Sequence, residues 1–464
     1  MSIQANLVES ALSDLRCFLG DRVTAGFAAR EHHGHDESSH SPALPDLVCF
    51  PQSGEEVSRI VAVSARHKLP VVPFGAGTSL EGQVHAVRGG ISIDMRRMNQ
   101  IQRISVEDMD VTVEAGVTRV QLANALENTG LTFFIDPGAD ATLGGMASTR
   151  ASGTTAVRYG TMRENVLGLT VVLADGRVIH TGTRARKSSA GYDLTHLFVG
   201  AEGTLGVITE LTLRLHGLPE AMAVARCAFH TIDGAVKTAI EVIQLGLGVA
   251  RIEFMDDRLV QAINTYSRIE LPVYPTLLFE FHGISKTTVA ETARLAEQLA
   301  AEHDGLGFTW ETTPAGRERL WTARHSAYYA SRALRPGSEA LTTDVCVPIS
   351  RLAECIVTTR SEIEVASFTA TMVGHVGDGN FHVLCMYEPA QAAEIEAFAA
   401  RLVERAQAMG GTCTGEHGVG LGKKKYLVAE HGGALDVMRA IKRTLDPDNR
   451  MNPGKIFDCD DKND

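Results

Sequence analysis

The stretch VVPFGAGTSLEG, residues 71–82, decides how the first half of the chain folds. A short apolar strand, 71–74, runs directly into a loop with glycines at 75, 77 and 82. Successive backbone N–H groups in such a loop bind phosphate oxygens without a cationic side chain. The spacing is not G-x-G-x-x-G and G-K-[ST] is missing, so neither a Rossmann-type NAD site nor a P-loop is indicated. For this loop alone, a tight turn without a ligand is an equal alternative.

Length and composition are those of an ordinary globular protein with two or three domains. The chain has 464 residues, of which 44% are hydrophobic and 22% charged. Its net charge of −12 repels nucleic acids, so we predict no nucleic-acid partner. No run approaches about 18 apolar residues, and the first thirty residues lack a signal-peptide core, so no membrane span is predicted. Eight cysteines without a C-x-x-C pair indicate reduced thiols and a cytoplasmic location.

The hydrophobic pattern predicts strands that alternate with helices after an N-terminal helix at 5–20 and a polar, solvated loop at 31–40. In the first half, strands are predicted at 47–50, 71–74, 91–94 and 209–215, with a helix at 55–67. In the second half, strands are predicted at 222–229, 251–255 and 276–282, with helices at 233–245 and 288–303. We therefore predict four parts: an N-terminal helix and loop at 1–44, domains at 45–217 and 218–450, and a C-terminal segment, 451–464, that returns to the first domain.

Two further glycine-rich blocks follow the first loop. The block at 136–166 contains many glycines, serines and threonines and few large apolar residues, so it cannot pack a core of its own. The block GAEGTLGVI, residues 200–208, leads into a strand. Three such blocks in about 140 residues point to a large ligand with both a phosphate and a heterocycle.

A hairpin with two histidines is predicted in the second half of the chain. The stretch GHVGDGNFH, residues 374–382, separates two apolar segments that are typical of strands, 368–373 and 383–387. Residues 377–380, GDGN, are of types that accept positive φ, which favours the turn of an antiparallel hairpin. Such a hairpin brings His375 and His382 side by side, as in sites where two imidazoles bind one divalent metal. For this pair alone, two incidental histidines are the simpler interpretation.

The tetrapeptide Gly415-Glu416-His417-Gly418 supplies two more polar side chains. Its glycines allow the backbone to present both side chains to a cavity. Glu416 would complete a His-His-Glu set with His375 and His382 and leave open positions on the ion. Mixed nitrogen and oxygen ligands suit Zn²⁺ without excluding Mn²⁺, Fe²⁺ or Co²⁺, and His417 would then be available as a base. Taken alone, the tetrapeptide is more typical of a loop with an exposed acid and imidazole.

A helix is predicted to begin at Thr313-Pro314, because threonine is a preferred N-cap and proline a preferred first residue, and to end before Pro336. Trp321, Arg324 and Tyr328 would share one face of it. A surface arginine lying over the helix is the default interpretation of Arg324.

These motifs together resemble one protein family. The matching segments, in order, are PFGAGTSLEG, DPGADATLGGMASTRASGTTAVRYGTMRENV, GAEGTLGVITE, TDVCVP, HVGDGNFH, TCTGEHGVGLGK and MNPGKIF. They resemble the flavin-binding domain of the vanillyl-alcohol oxidase superfamily and the C-terminal domain of its FAD-linked 2-hydroxyacid dehydrogenases, in particular the cytochrome-linked D-lactate dehydrogenases. The resemblance runs from about residue 45 to residue 457.

The resemblance implies an α+β fold. A PCMH-type FAD-binding domain of two α/β subdomains would occupy 45–217, and a C-terminal α+β substrate domain with an antiparallel sheet would occupy 218–450. FAD would be bound non-covalently, because the first loop lacks the histidine that tethers the flavin in some relatives. The implied cofactor-binding residues are Pro73, Phe74, Gly75, Ala76, Gly77, Thr78, Ser79, Pro137, Gly138, Thr142, Gly144, Gly145, Ala147, Ser148, Ser152, Gly153, Tyr159, Gly160, Glu202, Gly203, Gly206, Val207, Ile208 and Asn452.

The resemblance also assigns roles to the polar residues. The family pattern Leu-Trp-x-x-Arg ends at Arg324, which is thereby implied to bind the substrate carboxylate. His375, His382 and Glu416 would bind a divalent metal, Zn²⁺ or Mn²⁺. His417 would remove the hydroxyl proton while hydride passes from the substrate to flavin N5.

The implied reaction is oxidation of a D-2-hydroxy acid to the 2-oxo acid. D-Lactate is the favoured substrate, and glycolate and D-2-hydroxyglutarate are the alternatives. Electrons would leave to a cytochrome, a quinone or an electron-transfer flavoprotein. Peripheral attachment to a membrane through that acceptor is one alternative for the location, and a homodimer is one alternative for the oligomeric state. A metallohydrolase is a distant alternative that leaves the glycine-rich blocks unused. A non-catalytic nucleotide-binding protein leaves Glu416 and His417 unexplained.

Overall fold

The computed structural model describes residues 3–459, so the last five residues of the predicted C-terminal segment 451–464 lie outside the described range. The chain forms two compact units. Unit 1 comprises Met1–Ser152, Gly160–Leu218 and Glu416–Asp464, and unit 2 comprises Gly153–Tyr159 and Pro219–Gly415.

Helices and strands alternate along most of the chain. The first part contains α1 (Ile3–Leu19), β1 (Val23–Thr24), α2 (Phe27–His32), β2 (Leu47–Cys49), α3 (Gly54–His67), β3 (Val71–Phe74), β4 (Ile91–Asp94), β5 (Ile101–Ser105), β6 (Asp110–Glu114), α4 (Arg119–Ala125), β7 (Leu131–Thr132), α5 (Leu143–Thr149), α6 (Ala156–Tyr159), α7 (Met162–Asn165), β8 (Val166–Val172), β9 (Val178–His180), α8 (Leu194–Phe198), β10 (Val207–Arg214) and β11 (His216–Gly217). The next part contains β12 (Ala221–Phe229), α9 (Ile232–Gln244), β13 (Val249–Met255), α10 (Asp257–Ser267), β14 (Thr276–Gly283), α11 (Lys286–Glu302), β15 (Gly305–Glu311), α12 (Pro314–His325), α13 (Ala327–Ala333), β16 (Glu339–Thr342), β17 (Val345–Cys346), α14 (Leu352–Val365), β18 (Thr369–His375), β19 (Asn380–Tyr387) and α15 (Ala392–Ala408). The last part contains α16 (Leu427–His431) and α17 (Ala434–Leu445). Across the described residues, we find no helix with the length and hydropathy that a membrane crossing requires.

Unit 1 contains two larger sheets, which correspond to the two expected subdomains. In the first, β2, β4 and β3 are parallel neighbours and β1 is antiparallel to β2. The second is antiparallel, in the order β5-β6-β10-β8-β9. Apolar side chains from both sheets and from α1 and α3 form the core, including Leu15, Leu47, Ile60, Val111 and Leu211, all fully buried.

Unit 2 is built on an antiparallel sheet of eight strands. The order is β15-β12-β14-β13-β18-β19-β16, and β17 also pairs with β19. The predicted strands of this half are confirmed as β12, β13 and β14, and the predicted hairpin is confirmed as β18 and β19. Side chains of α10, α12 and α13 pack on this sheet in a core that includes Leu259, Trp321 and Ala327.

The solvated loop predicted over residues 31–40 is wrong at its centre. Helix α2 extends to His32, and His33 is buried with Nε2 3.0 Å from Oδ2 of Asp94. Asp36 is buried as well. The polar composition of this segment indicated a loop, but its partners lie far along the chain, 61 residues away in the case of His33.

The helix predicted from Thr313 is confirmed at its start but is interrupted. The side chain of Thr313 accepts a hydrogen bond from the N–H of Gly316, as an N-cap should. Helix α12 then ends at His325, and α13 begins at Ala327. Trp321 is buried, whereas Tyr328 is 46% exposed. Trp321 and Tyr328 thus lie in different helices and differ in burial, so the predicted common face of Trp321, Arg324 and Tyr328 is not one continuous buried face.

Candidate active site

The loop after β3 presents consecutive backbone donors. Gly77 has a φ of +73°, and a Cβ there would lie 2.9 Å from Cζ of Phe74. A side chain at this position would therefore be both strained and crowded. Within residues 3–459, the N–H groups of Ala76, Gly77 and Thr78 donate to no other backbone group. This arrangement is the one that binds phosphate oxygens.

A buried aspartate holds this loop in place. Oγ of Ser79 donates to Oδ2 of Asp36 at 2.9 Å, and Oδ1 of Asp36 lies 3.1 Å from Nε2 of His85. Burial raises the pKa of Asp36, but hydrogen bonds with His85 and Ser38 outweigh burial, so the pKa is lowered overall. Sequence reasoning missed this contact because Asp36 and His85 lie 49 residues apart.

Helix α5 begins in the second glycine-rich block and approaches the first loop closely. Oγ1 of Thr142, its N-cap, accepts a hydrogen bond from the N–H of Gly145 at 3.3 Å. A Cβ on Gly75 would lie only 2.4 Å from the same Oγ1. A Cβ on Gly144 would lie 2.6 Å from Cβ of Ala115. A Cβ at Gly75 would collide with the Thr142 side chain and one at Gly144 with Ala115, including its backbone, so glycine is favoured at both positions.

The three glycine-rich blocks line one cavity within unit 1. Its empty volume is about 1190 Å³, which includes the solvent space at its opening. The predicted cofactor-binding residues that line it are Pro73, Phe74, Gly75, Ala76, Gly77, Thr78, Ser79, Pro137, Thr142, Gly144, Gly145, Ser148, Ser152, Glu202, Gly203, Gly206, Ile208 and Asn452. Sequence reasoning missed several apolar lining residues: Leu80, Ala141 and Met146 within these blocks, and Val84 and Met95 outside them.

The other predicted cofactor-binding residues lie outside the lining of this cavity: Gly138, Ala147, Gly153, Tyr159, Gly160 and Val207. The side chain of Val207 points to the opposite side of β10 from its neighbour Ile208, since side chains alternate along a strand. Gly153 and Tyr159 belong to unit 2.

The cavity has the features that FAD requires. The first loop supplies backbone donors for a pyrophosphate, and the glycines of the second block allow a flat ring to approach the backbone. The residues present therefore fit this cofactor.

Glu416 and His417 also line the cavity. Nε2 of Gln83 donates to the carbonyl oxygen of His417 at 2.8 Å. The carboxylate of Glu202 accepts hydrogen bonds from the N–H groups of residues 419–420 at 2.7 and 2.9 Å. Burial raises the pKa of Glu202 to about 7, although these two N–H groups act in the opposite direction. Contacts that lie far away in sequence thus fix the backbone of the tetrapeptide.

In unit 2, β18 and β19 place His375 and His382 as diagonal neighbours on one face of the sheet. Their ring centroids are 5.5 Å apart. Nδ1 of His375 lies 2.6 Å from Oε1 of Glu253, and Nδ1 of His382 lies 3.0 Å from the carbonyl oxygen of Thr343. A metal bound by both rings would therefore be bound through Nε2, with the Nδ1–H groups held by the protein.

Arg324 is fixed on the same carboxylate as His375. Its Nε–H donates to Oε2 of Glu253 at 2.7 Å, and the Glu253 side chain is 0% exposed. Burial raises the pKa of Glu253, but the charges of His375 and Arg324 outweigh burial, so the pKa is lowered overall. Arg324 is thus a half-buried, ion-paired side chain rather than a surface arginine. Sequence reasoning missed Glu253, because the sequence does not show whether a glutamate within an otherwise apolar strand is buried.

A second buried carboxylate, Glu280, lies on the neighbouring strand β14. Its Oε1 is 2.7 Å from Nε2 of His282, and its Oε2 accepts a hydrogen bond from Nε1 of Trp321 at 2.8 Å. The hydroxyl of Tyr159 lies 2.7 Å from Nδ1 of His282. Tyr159 therefore belongs to a hydrogen-bonded chain within unit 2.

Comparison with known proteins agrees with this geometry. Residues 45–182 match the FAD binding domain, and residues 218–456 match the C-terminal domain of FAD linked oxidases. A probable mitochondrial D-lactate dehydrogenase of Danio rerio is 50% identical over 100% of this chain and 94% of its own length. The mitochondrial D-lactate dehydrogenase [cytochrome] of Arabidopsis thaliana is 46% identical over 96% of this chain and 80% of its own length.

The fold also matches solved structures. p-Cresol methylhydroxylase with bound substrate superposes with a TM-score of 0.81 at 18% identity, over 99% of this chain and 98% of that one. This likeness supports the PCMH-type fold alone. With two domain matches and full-length relatives, the chain belongs to the FAD-linked oxidases.

Proposed function

We propose that this FAD-linked oxidase converts D-2-hydroxy acids to 2-oxo acids, with D-lactate to pyruvate as its principal reaction. The observation that carries the proposal is that His417, the candidate base, lines the same cavity as the three glycine-rich blocks. The names of the two relatives, at 50% and 46% identity, support D-lactate as the substrate.

The glycine-rich blocks would hold FAD without a covalent bond, because the first loop offers backbone donors and no histidine. FAD supplies the two-electron acceptor for the hydride of the substrate. The residues of unit 1 that line the cavity would orient the ring.

Arg324 would bind the substrate carboxylate. Because its Nε–H already donates to Glu253, the two terminal guanidinium nitrogens are the donors offered to the substrate. Two parallel hydrogen bonds fix the plane of the carboxylate and hence the direction of the neighbouring hydroxyl.

His417 would accept the hydroxyl proton of the substrate. The hydrogen bond from Gln83 to its carbonyl oxygen fixes the backbone from which the imidazole extends. A fixed base of suitable pKa contributes roughly 10² to 10⁴ in rate.

His375, His382 and Glu416 would bind a divalent metal, Zn²⁺ or Mn²⁺. The support comes from the two imidazoles, each with Nδ1 bonded to an acceptor within unit 2, as is usual for metal-bound histidine. A bound ion would lower the pKa of a hydroxyl group on it.

The final electron acceptor would be a cytochrome, a quinone or an electron-transfer flavoprotein; the name of the Arabidopsis relative favours a cytochrome. A cytoplasmic location and a homodimer remain sequence-based proposals. The names of both relatives include the word mitochondrial, which the sequence reasoning did not predict.

Assay of the purified protein tests the proposal. We expect a yellow protein that reduces an artificial acceptor with D-lactate faster than with glycolate, D-2-hydroxyglutarate or the L-acids. A protein without flavin absorbance that takes up no FAD on reconstitution would contradict the proposal, as would a preference for L-acids.

A further inference from the structure

One buried carboxylate in unit 2 contacts two residues with different proposed roles. Oε1 of Glu253 faces Nδ1 of His375 at 2.6 Å, and Oε2 accepts the Nε–H of Arg324 at 2.7 Å. The Glu253 side chain is fully buried, the His375 side chain is 7% exposed and that of Arg324 is 18% exposed. The carboxylate is therefore more deeply buried than either of its partners.

We propose that Glu253 is a positioning residue that couples the metal ligand His375 to the substrate-binding Arg324, so that one carboxylate orients both. This inference rests on the proposed function. Glu253 is not a catalytic residue, because it acts only through its two partners.

The chemistry of the carboxylate explains why glutamate is needed at this position. An ionised carboxylate only accepts hydrogen bonds, so Nδ1 of His375 must carry the proton and Nε2 the lone pair that binds a metal. The same charge holds the guanidinium of Arg324 through Nε and leaves its two terminal nitrogens for a ligand. Both functions require that each oxygen of the side chain accept a hydrogen bond.

The substitution Glu253→Gln removes this property with little change in shape. A carboxamide has one acceptor oxygen and one donor nitrogen, so it can accept from Arg324 or from His375 but not from both. If the nitrogen faces His375, it donates to Nδ1 and forces the proton onto Nε2, which then cannot bind a metal. If the nitrogen faces Arg324, two donors oppose each other and the guanidinium turns away.

Glu280 provides a matched control. It is a buried carboxylate on the neighbouring strand β14, and it also contacts a histidine and helix α12, through His282 and Trp321. Neither partner belongs to the proposed site. Glu280→Gln therefore tests whether loss of any buried carboxylate that contacts α12 changes metal affinity and KM in the same way as Glu253→Gln.

The experiment uses the FAD-loaded enzyme and two measurements. Metal affinity is measured by titrating Zn²⁺ or Mn²⁺ into metal-depleted protein, and KM and kcat are measured separately with D-lactate. We expect Glu253→Gln to weaken metal binding by about 10- to 100-fold, as for other residues that orient metal ligands, or to raise the KM for D-lactate by about tenfold or more. Glu280→Gln should keep both values within about twofold.

A double-variant comparison separates positioning from a general loss of structure. In an Arg324→Ala background assayed at saturating metal, Glu253→Gln should raise the KM no further, because the partner through which it acts on the substrate carboxylate is gone. If Glu253→Gln does not fold, Glu253→Asp is measured instead; it keeps the charge but is too short to reach both partners, so one of the two losses should persist.

Unchanged metal affinity and KM in Glu253→Gln would overturn the proposal, as would equal losses in Glu280→Gln. A wild type that binds no metal would also overturn it. If the wild type binds metal but oxidises no D-2-hydroxy acid, the proposed function fails, and the metal titration alone then decides whether Glu253 orients His375.

Discussion

A Cβ placed on Gly75 would lie 2.4 Å from Oγ1 of Thr142, the residue that caps helix α5. The first glycine-rich loop and the second block therefore approach each other more closely than any side chain would allow. The hydroxyl of Thr142 cannot move away freely, since it accepts a hydrogen bond from the N–H of Gly145.

We predict that Gly75→Ala lowers the FAD content of the purified protein, because the new methyl group must push the loop away from α5. Loss of the cap bond would add about 1 kcal/mol of destabilisation. Flavin absorbance per protein measures the effect. Gly433→Ala is the control, since a Cβ there meets no atom within 4 Å and its φ is −63°. Equal FAD contents in the two variants would contradict the prediction.

His375→Ala and His382→Ala are each expected to lower bound metal and to abolish activity while FAD content is unchanged. The two histidines belong to unit 2, whereas the glycine-rich cavity lies within unit 1. Metal analysis and flavin absorbance of the same samples decide the outcome. Full activity in a variant shown to contain no metal would count against the metal site.

Arg324→Lys should be nearly as damaging as Arg324→Ala, with kcat/KM lowered by about 10- to 100-fold, the range expected for hydrogen bonds to charged groups. An ammonium cannot donate to Glu253 and grip a carboxylate through two parallel bonds at once. Arg251→Lys is the control, because Arg251 lies beside the other buried carboxylate, with Nε 3.5 Å from Oε1 of Glu280. Near-native kcat/KM in Arg324→Lys would show that another residue binds the substrate carboxylate.

His417→Asn is expected to bind FAD and metal but to reduce its flavin about 10²- to 10⁴-fold more slowly with D-lactate, since only the proton acceptor is lost. Stopped-flow measurement of flavin reduction without an acceptor isolates this half-reaction. Higher pH should partly rescue the variant and not the wild type. A variant that has lost its metal would instead identify His417 as a ligand.

Glu202 should make the stability of the protein depend on pH. Burial raises its pKa from an ordinary 4.5 to about 7. The folded state thus binds the proton more tightly than the unfolded state, so this contribution is fully present below about pH 4.5 and is lost as pH rises through about 7. Relative to Glu202→Gln, the free energy of unfolding of the wild type should fall by at most about 3 kcal/mol across this window. Denaturant unfolding of both proteins at several pH values measures the difference; parallel curves would show that Glu202 does not titrate there.

The sequence by itself determined the local features of this protein. The bounds of β3 and β4, the hairpin with His375 and His382, and the N-cap at Thr313 follow from short patterns of apolar, turn and capping residues. Each depends on neighbours within a few positions, so the physical cause is present in the local sequence. The ordered motifs likewise indicated the family.

Only the tertiary structure decided which distant groups support these features. Glu253 contacts Arg324 across 71 positions and His375 across 122. Asp36 holds the first glycine-rich loop, although its polar neighbours suggested a solvated segment. A buried carboxylate in a strand has the same local pattern as an exposed one, and only the packing of other elements on it sets its charge, its partners and its role.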